Sequence, residues 1–486
     1  MSLTILGLGP GHIDDLTRRA WRVLENASVV YLRTAQHPIV PDLPNGADYR
    51  SFDDVYEAND DFEEVYRTIA DRVVDAARAG ETVYAVPGDP LVAETTVTRL
   101  LQRARAEGIA VEVVNGISFI EPTLALLGID ALDGLQLLDA IAVAAMHHPP
   151  INPDYPALLG QVYSRAVASN LKLTLMNQYP DEFEVHLIHA AGTPDAQVET
   201  VPLYEIDHSE RIKHLTALYL PALGGMSSFE QFQEVIAHLR APEGCPWDRK
   251  QTHKSLRQYL IEEAFEVLEA IDAEDWDALA EELGDLMLQV VLHTQIAIDD
   301  GEFRMGDVLS RINRKLIYRH PHVWGSVEVD SPEQVVTNWD ALKKQEKAKA
   351  GKPERESILD GVPKGLPALL QAYKYQDEAA KPGFDWHRID DVIAKVREEF
   401  DEVMAAESDE HRAEEMGDLL FVIVNWARWL KVEPETALRE ANAKFYRRFR
   451  YIEEAVAATG KPMTDFTLDQ LDAFWNEAKA KERAAE

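Results

Sequence analysis

The sequence predicts an α/β domain followed by two all-α helical-bundle repeats. Three observations carry this reading. Up to about residue 221, short apolar runs ending in glycine alternate with helical patterns. From Phe229 onward strand-like runs nearly vanish and apolar residues recur at helical spacing. Within that helical part, one set of acidic, basic and aromatic residues occurs twice in the same order.

Taken in order, LTILGLG (Leu3–Gly9) is an apolar run ending in glycines, and the helical DDLTRRAWRVLENA (Asp14–Ala27) follows it. ASVVYL (Ala27–Leu32), ETVYAVPGD (Glu81–Asp89), VEVVNG (Val111–Gly116), KLTLMNQ (Lys172–Gln178) and EVHLIHAAG (Glu184–Gly192) read as further strands. Apolar strands alternating with helices predict a largely buried, mainly parallel sheet. LPALGGMSS (Leu220–Ser228), with its Pro and paired Gly, reads as a linker. Beyond it, Leu256, Leu260, Ala264, Leu268 and Ile271 form one apolar helical stripe. The Lys/Pro-rich KAKAGKPERES (Lys347–Ser357) breaks the helical part. The expected domains are therefore 1–221, 229–346 and 355–486.

Composition bounds the function. The 486 residues suffice for about three ordinary domains. A net charge of −36 argues against binding long nucleic acid, which wants a basic surface. A small polyphosphate stays open if a cation bridges it. Cys245 is the only cysteine, so no disulfide can form within the chain, which fits a cytoplasmic location. The start lacks the basic segment of a signal peptide, and no run of about 18 apolar residues could span a membrane.

The chemistry sits on the repeated helices. EEAFE (Glu262–Glu266) recurs as EEFDE (Glu398–Glu402), and ELGD (Glu282–Asp285) as EMGD (Glu415–Asp418). Glycine inside an apolar helix costs about 1 kcal/mol relative to Ala, and an aspartate there should resist burial. Glu263/Glu266 and Glu282/Asp285 are spaced i, i+3, as are Glu399/Glu402 and Glu415/Asp418, so each pair shares a helix face. Antiparallel packing would bring four carboxylates together in each repeat. Their repulsion invites a hard divalent cation, and oxygen-only ligands favour Mg²⁺ or Mn²⁺. Glu262 or Glu398 could then act as a general base on a water. Downstream, Lys315/Arg319 and Lys444/Arg448 could hold phosphates. NWDALKKQE (Asn338–Glu346) matches FWNEAKAKE (Phe474–Glu482), placing Trp339 on Trp475 and Lys343 on Lys479. The competing reading is a structural bundle with solvated acidic faces. Trp247 and Trp386 read as packing residues, and His320 and His322 as loop-capping ones.

GCPWDRKQTH (Gly244–His253), RHPHVW (Arg319–Trp324), KPGFDW (Lys381–Trp386) and KFYRRF (Lys444–Phe449) add to these motifs. From about Phe229 to the end the chain resembles MazG, a tandem-domain family of all-α nucleoside triphosphate pyrophosphohydrolases. The resemblance implies Mg²⁺-dependent cleavage of nucleoside triphosphates between the α and β phosphates. It implies Glu399, Glu402, Glu415 and Asp418 as metal ligands, with Lys444, Arg448, Trp475 and Lys479 on the substrate side. The first repeat keeps the corresponding residues. The longer basic run AKFYRRFR (Ala443–Arg450), set against Pro321 just after Arg319, favours the second repeat as the one that turns over.

In the N-terminal part, GLGPGHIDDLT (Gly7–Thr17) and VPGDP (Val86–Pro90) place glycine turns after two strands, which suggests a ligand crevice. With VVNGISF (Val113–Phe119), LTLM (Leu173–Met176) and AAGTPDAQVETVPL (Ala190–Leu203), these motifs resemble the tetrapyrrole (corrin/porphyrin) methylase family. That family binds S-adenosylmethionine between two α/β lobes. The resemblance implies Gly9, Pro10, Gly11, Gly88, Asp89, Pro90, Ser118 and Met176 as cofactor-binding. His12 and GDPLVAE depart from the family pattern and leave the methyl acceptor unassigned. The whole chain resembles the YabN-type fusion of the two domains. A non-catalytic sensor or assembly role for the N-terminal domain is the alternative. The repeats also suggest a homodimer.

Overall fold

The computed structural model describes residues 2–59, 61–349 and 356–485. Residues 350–355 of the expected break, and with them the expected start of the second repeat, lie outside the described residues. The chain divides into two compact units, Met1–Asn313 and Arg314–Glu486.

The first unit begins with two sheets. β1 (Ser2–Gly7), β2 (Val29–Leu32), β3 (Asp48–Ser51), β4 (Glu81–Val86) and β5 (Ala110–Val114) form a parallel sheet in the order β3-β2-β4-β1-β5. Helices pack on both of its faces, so β1 and β4 read as continuous apolar runs. β6 (Gln136–Asp139), β7 (Ala157–Gly160), β8 (Glu184–His189), β9 (Gln197–Pro202) and β10 (Thr216–Leu220) form the second sheet, ordered β6-β7-β10-β8-β9. Only β6 and β7 pair in parallel there; the other pairings are antiparallel. The expectation of a mainly parallel sheet therefore holds for the first lobe and not for the second. A hairpin joins β8 to β9, and β10 inserts between β7 and β8 antiparallel to both.

A second correction concerns KLTLMNQ. Lys172–Leu175 lie in the helix Arg165–Leu175, and Met176 is its C-cap. Ser164 caps the first turn by accepting from the Val167 amide at 3.2 Å. Ala168, Leu171 and Leu175 then bury on the second lobe's core at helical spacing, so the short apolar run is one face of a helix.

β10 ends at Leu220, and Ser228 caps the next helix, Phe229–Arg240. Gly224 and Gly225 supply the left-handed backbone between them. Asp154 of the second lobe accepts from the Ser227 and Ser228 amides at 2.8 and 3.0 Å and anchors this segment.

The helices Arg257–Ala273, Trp276–Asp299 and Met305–Arg319 follow, and Ile236, Leu256, Val291, Leu292, Ile296 and Met305 form their core. The predicted stripe is buried at Leu256, whereas Leu260, Ala264, Leu268 and Ile271 stay exposed. They lie off the side that meets this core. In the second unit the helices are Pro332–Lys349, Ala368–Ala380, Ile389–Ala405, Asp409–Trp429, Pro434–Ala458 and Leu468–Ala485. Connections of two residues (Glu274, Asp275) and three residues (Ala406–Ser408) turn each first acidic helix back on the second.

Candidate active sites

The tight turns bring the carboxylates together. Glu263, Glu266 and Glu282 offer oxygens within 4.8 Å of one another, and so do Glu399, Glu402 and Glu415. Asp285 lies near enough to raise the pKa of Glu263 and Glu282, though it falls outside that three-residue group. Asp418 also falls outside its group, and its side chain is exposed. As resistance to burial predicts, neither aspartate of the Gly-Asp pairs is buried: Asp285 is half-buried and Asp418 exposed. Each apolar run places Asp on its open face. A Cβ at Gly284 or Gly417 would meet nothing within 4 Å, so packing does not demand glycine there.

Burial and then mutual repulsion raise carboxyl pKa values in both clusters, and in the second Lys395 works against them. Burial first, and then Glu266 and Asp285, push Glu263 above the usual carboxylate range, while Gln289 acts in the other direction. Burial and then Glu266 raise Glu282 likewise. Burial, Glu399 and Glu415 raise Glu402.

The second cluster carries two partners that the motif comparison missed. The Lys395 ammonium bridges Glu399 at 2.8 Å and Glu398 at 2.9 Å. The His411 Nε2 lies 3.0 Å from Glu415. Both stand at i, i+4 from a predicted ligand, a helical-neighbour signal readable in the sequence. Tyr259 and Ala278 occupy the matching places in the first copy. The proposed bases differ too. Glu398 is engaged by Lys395, while Glu262 is exposed and makes no hydrogen bond among the described residues.

The basic residues form a second motif. Arg319 donates twice to Glu346, from Nε at 2.9 Å and Nη2 at 2.6 Å, and lies over Trp339. Arg448 meets Glu482 at 2.8 and 2.7 Å and lies over Trp475. Each arginine expected on the phosphate side is thus held by a glutamate on the neighbouring helix, and a phosphate would have to displace it. Lys315, Lys343 and Lys444 stay exposed, and Lys479 is partly so. Among the described residues none of Lys444, Arg448, Trp475 or Lys479 hydrogen-bonds to the second carboxylate set. His320 donates from Nδ1 to the Leu316 carbonyl at 2.7 Å and so closes the helix end at Arg319, as a capping role requires.

Between the two N-terminal lobes lies a cavity of about 390 Å³. Close glycine packing shapes it. A Cβ at Gly7 or Gly116 would stand 2.3 Å from the Gly88 carbonyl, so the ends of β1, β4 and β5 can meet only without side chains. Gly9 and Gly88 exchange backbone hydrogen bonds there. Of the expected cofactor residues, Pro10, Gly88, Asp89 and Ser118 line the cavity. Gly9, Gly11 and Pro90 shape the adjoining turns, and Met176 packs on the second core instead. Asp89 also fastens the loop after β5, accepting from Asn115 and the Gly116 amide at 3.2 and 3.1 Å. Ala93 and Gln161, both lining residues, hold φ values of 57° and 67°, uncommon for residues with a Cβ.

The cavity wall also holds charges that sequence reasoning missed. Arg33 donates to Glu94 at 2.6 Å and to the Tyr56 hydroxyl at 3.1 Å. Burial pushes Glu94 up to about 7 against the pull of Arg33. His37, also in the wall, is 5 % exposed; the Gly9 carbonyl lies near its ring, but neither nitrogen completes a well-formed hydrogen bond among the described residues. Burial lowers it to about 4, the Gly9 carbonyl opposing and His214 assisting. No short motif announces these groups, because Arg33 and Glu94 are distant in sequence.

Fold and sites together define a two-part protein: a methylase-type α/β domain joined to a helical domain with paired acidic helices. Residues 2–207 match the Tetrapyrrole (Corrin/Porphyrin) Methylases, and residues 251–324 match the MazG nucleotide pyrophosphohydrolase domain. YabN of Bacillus subtilis (strain 168) is 44% identical over 490 residues, covering 99% of each chain. The nucleoside triphosphate pyrophosphohydrolase/pyrophosphatase MazG of Thermotoga maritima is 45% identical over 52% of this chain and 95% of its own length. Among solved structures, uroporphyrin-III-C-methyltransferase from Thermus thermophilus aligns with a TM-score of 0.36 at 22% identity, over 46% of this chain and 94% of that one. The chain belongs to the YabN family, with a tetrapyrrole methylase domain first and a MazG pyrophosphohydrolase domain after it.

Proposed function

We propose that the helical part hydrolyses nucleoside triphosphates to nucleoside monophosphate and pyrophosphate with Mg²⁺, or Mn²⁺ in its place. The observation that carries this is the convergence of three carboxylate oxygens within 4.8 Å in each of two helix pairs. The relative from Thermotoga maritima bears that activity in its name. The donor set is all oxygen and lacks compensating charge in the first cluster, which fits a hard divalent ion. Glu399, Glu402, Glu415 and Asp418 would hold it in the second repeat, and Glu263, Glu266, Glu282 and Asp285 in the first. When bound, such an ion offsets phosphate charge and lowers the pKa of a coordinated water.

The chain's own residues do the rest. Glu398 or Glu262 takes a proton from the attacking water. Lys395 restrains Glu398 and Glu399 in one orientation. Lys444 and Lys479, with Lys315 and Lys343 in the first copy, reach toward phosphate oxygens. Arg448 and Arg319 position the aromatic rings of Trp475 and Trp339. The second copy is the principal site on this reading. The test is product analysis with purified protein. Pyrophosphate released only with Mg²⁺ supports the reading, and initial release of orthophosphate and diphosphate overturns it.

Residues 1–221 bind S-adenosylmethionine in the cavity beside Pro10, Gly88, Asp89 and Ser118 and transfer its methyl group on this proposal. A hydrolase with a non-catalytic N-terminal sensor is the second reading, favoured by Asp89 being engaged in loop fastening. The working form is a cytoplasmic homodimer. Exposed Ile261, Phe265 and Leu268 on one acidic helix and Leu283, Met287 and Val290 on its neighbour would be covered by the second copy.

A further inference from the structure

We propose that the cavity between the N-terminal lobes takes a small uncharged ligand that donates an O–H or N–H hydrogen bond to His37, and that it rejects polycarboxylates. On the cofactor reading above, this ligand is the methyl acceptor, and the inference rests on that reading for its chemical consequence.

Three observations carry it. His37 is nearly enclosed and lines the cavity; the Gly9 carbonyl lies close to its ring without completing a well-formed hydrogen bond, and no other protein group partners either nitrogen among the described residues. A buried imidazole left unpaired costs free energy, and a ligand hydrogen bond would recover it. The wall offers no surplus positive charge. Arg33 is its one lysine or arginine and is committed to Glu94 at 2.6 Å, while Asp89 adds a further carboxylate. A ligand with several carboxylates would therefore bury like charges together. Finally, a cavity of about 390 Å³ lies at the small end of the ~300–1,000 Å³ range of ligand sites. Its remaining wall is largely apolar, with Phe119, Ile141 and Ile188 among its side chains. Beside a cofactor, only a small body fits.

The step balances without an outside reagent other than the sulfonium cofactor. The acceptor's oxygen or nitrogen lone pair forms a bond to the methyl carbon. The carbon–sulfur bond breaks and its electron pair stays on sulfur, giving the neutral thioether S-adenosylhomocysteine. The proton of the O–H or N–H group leaves through the His37 ring nitrogen that it hydrogen-bonds and goes on to solvent, because burial disfavours a ring that stays charged.

The test uses the full chain with histidines ¹³C-labelled at Cε1, saturated with S-adenosylhomocysteine as judged by its own thermal shift. Loss of a resonance in His37→Gln, checked against His37→Asn, assigns His37. Phenol, propionate and uroporphyrin are then titrated separately. The expected result is a saturable shift of the His37 resonance with phenol and none with the two carboxylates. An unmoved resonance with phenol, or a shift with uroporphyrin, overturns the inference. If S-adenosylhomocysteine gives no thermal shift while phenol still moves His37, the cofactor reading fails and the ligand inference stands.

Discussion

Replacing Arg448 by Ala separates two roles that the sequence leaves together, phosphate ligand and helix staple. The side chain is 15 % exposed, and its Nη2 lies 2.7 Å from Glu482, itself 30 % exposed. The guanidinium carbon lies 5.3 Å from the Trp475 ring centre. Breaking a fully buried pair costs ~3–5 kcal/mol and an exposed one ~1 or less. This pair stands between those limits, so about 2 kcal/mol is expected, with roughly 0.5–1 more from the lost cation–π contact. For a unit of this size that is a fall of about 5–10 °C in Tm. Calorimetry on the full chain reads the shift, and triphosphate kinetics on the same samples read KM. Glu482→Gln should destabilise in the same direction, because it removes the other half of the pair. An unchanged Tm for Arg448→Ala together with a KM raised tenfold or more would refute the staple and return Arg448 to the phosphate.

The remaining predictions concern the acidic helices. Gly417→Ala should stabilise the exposed helix by about 0.5–1 kcal/mol, read as a higher Tm, yet lower kcat/KM, because the open space beside Asp418 is where substrate approaches. Unimpaired kcat/KM would show that the space is idle. Glu263, Glu282 and Glu402 have folded pKa values above their unfolded ones, so they favour the folded state at low pH and lose that contribution as pH rises through the raised values. In EDTA the Tm should therefore fall on going from the ordinary carboxylate range toward neutrality, and saturating Mg²⁺ should flatten the decline; scanning calorimetry across pH checks both. Glu399→Gln should cut pyrophosphate release at least about a hundredfold, since loss of outer-shell support alone costs ~10–100-fold. Glu263→Gln should cost much less, and the reverse order would move the principal site to the first repeat.

Local periodicity made most of the fold legible. The strands at Leu3, Val83 and Val113 are legible as apolar runs closed by glycine, that at Val30 as a short β-branched run, and the paired acidic helices as repeated i, i+3 carboxylates. What misled was context. LTLM has strand-like composition, but the Ser164 cap and the spacing of Leu171 and Leu175 make it helix. The direction of strands in the second lobe depends on connections, which apolar runs do not encode. In the sites, the repeated motifs were legible, whereas Lys395 and His411, one helical turn from predicted ligands, and groups adjacent only in space were not. Glu94 reaches Arg33 across the chain, and His37 becomes notable only because neither ring nitrogen completes a well-formed hydrogen bond among the described residues. Arg319 and Arg448 were visible as cations, while their commitment to Glu346 and Glu482 needed the packing of neighbouring helices.

The duplication conceals a difference that bears on the chemistry. Both acidic clusters have the same carboxylates, but their compensation differs. In the second, the Lys395 ammonium lies against Glu398 and Glu399, so part of the repulsion is met within the protein, and His411 Nε2 lies 3.0 Å from Glu415. In the first, Tyr259 and Ala278 stand in those places, and the side chain that reaches the cluster is the neutral amide of Gln289, 3.4 Å from Glu263. A neutral donor steadies one oxygen without cancelling charge. On the proposed metal reading, the first cluster would take its positive charge from a bound cation. On the same reading, Lys395 would be free to meet a phosphate oxygen if the second cluster's carboxylates were to hold a cation instead. Holding and turnover place opposite demands on a metal site. If both clusters hold metal as proposed, the first would suit holding and the second turnover.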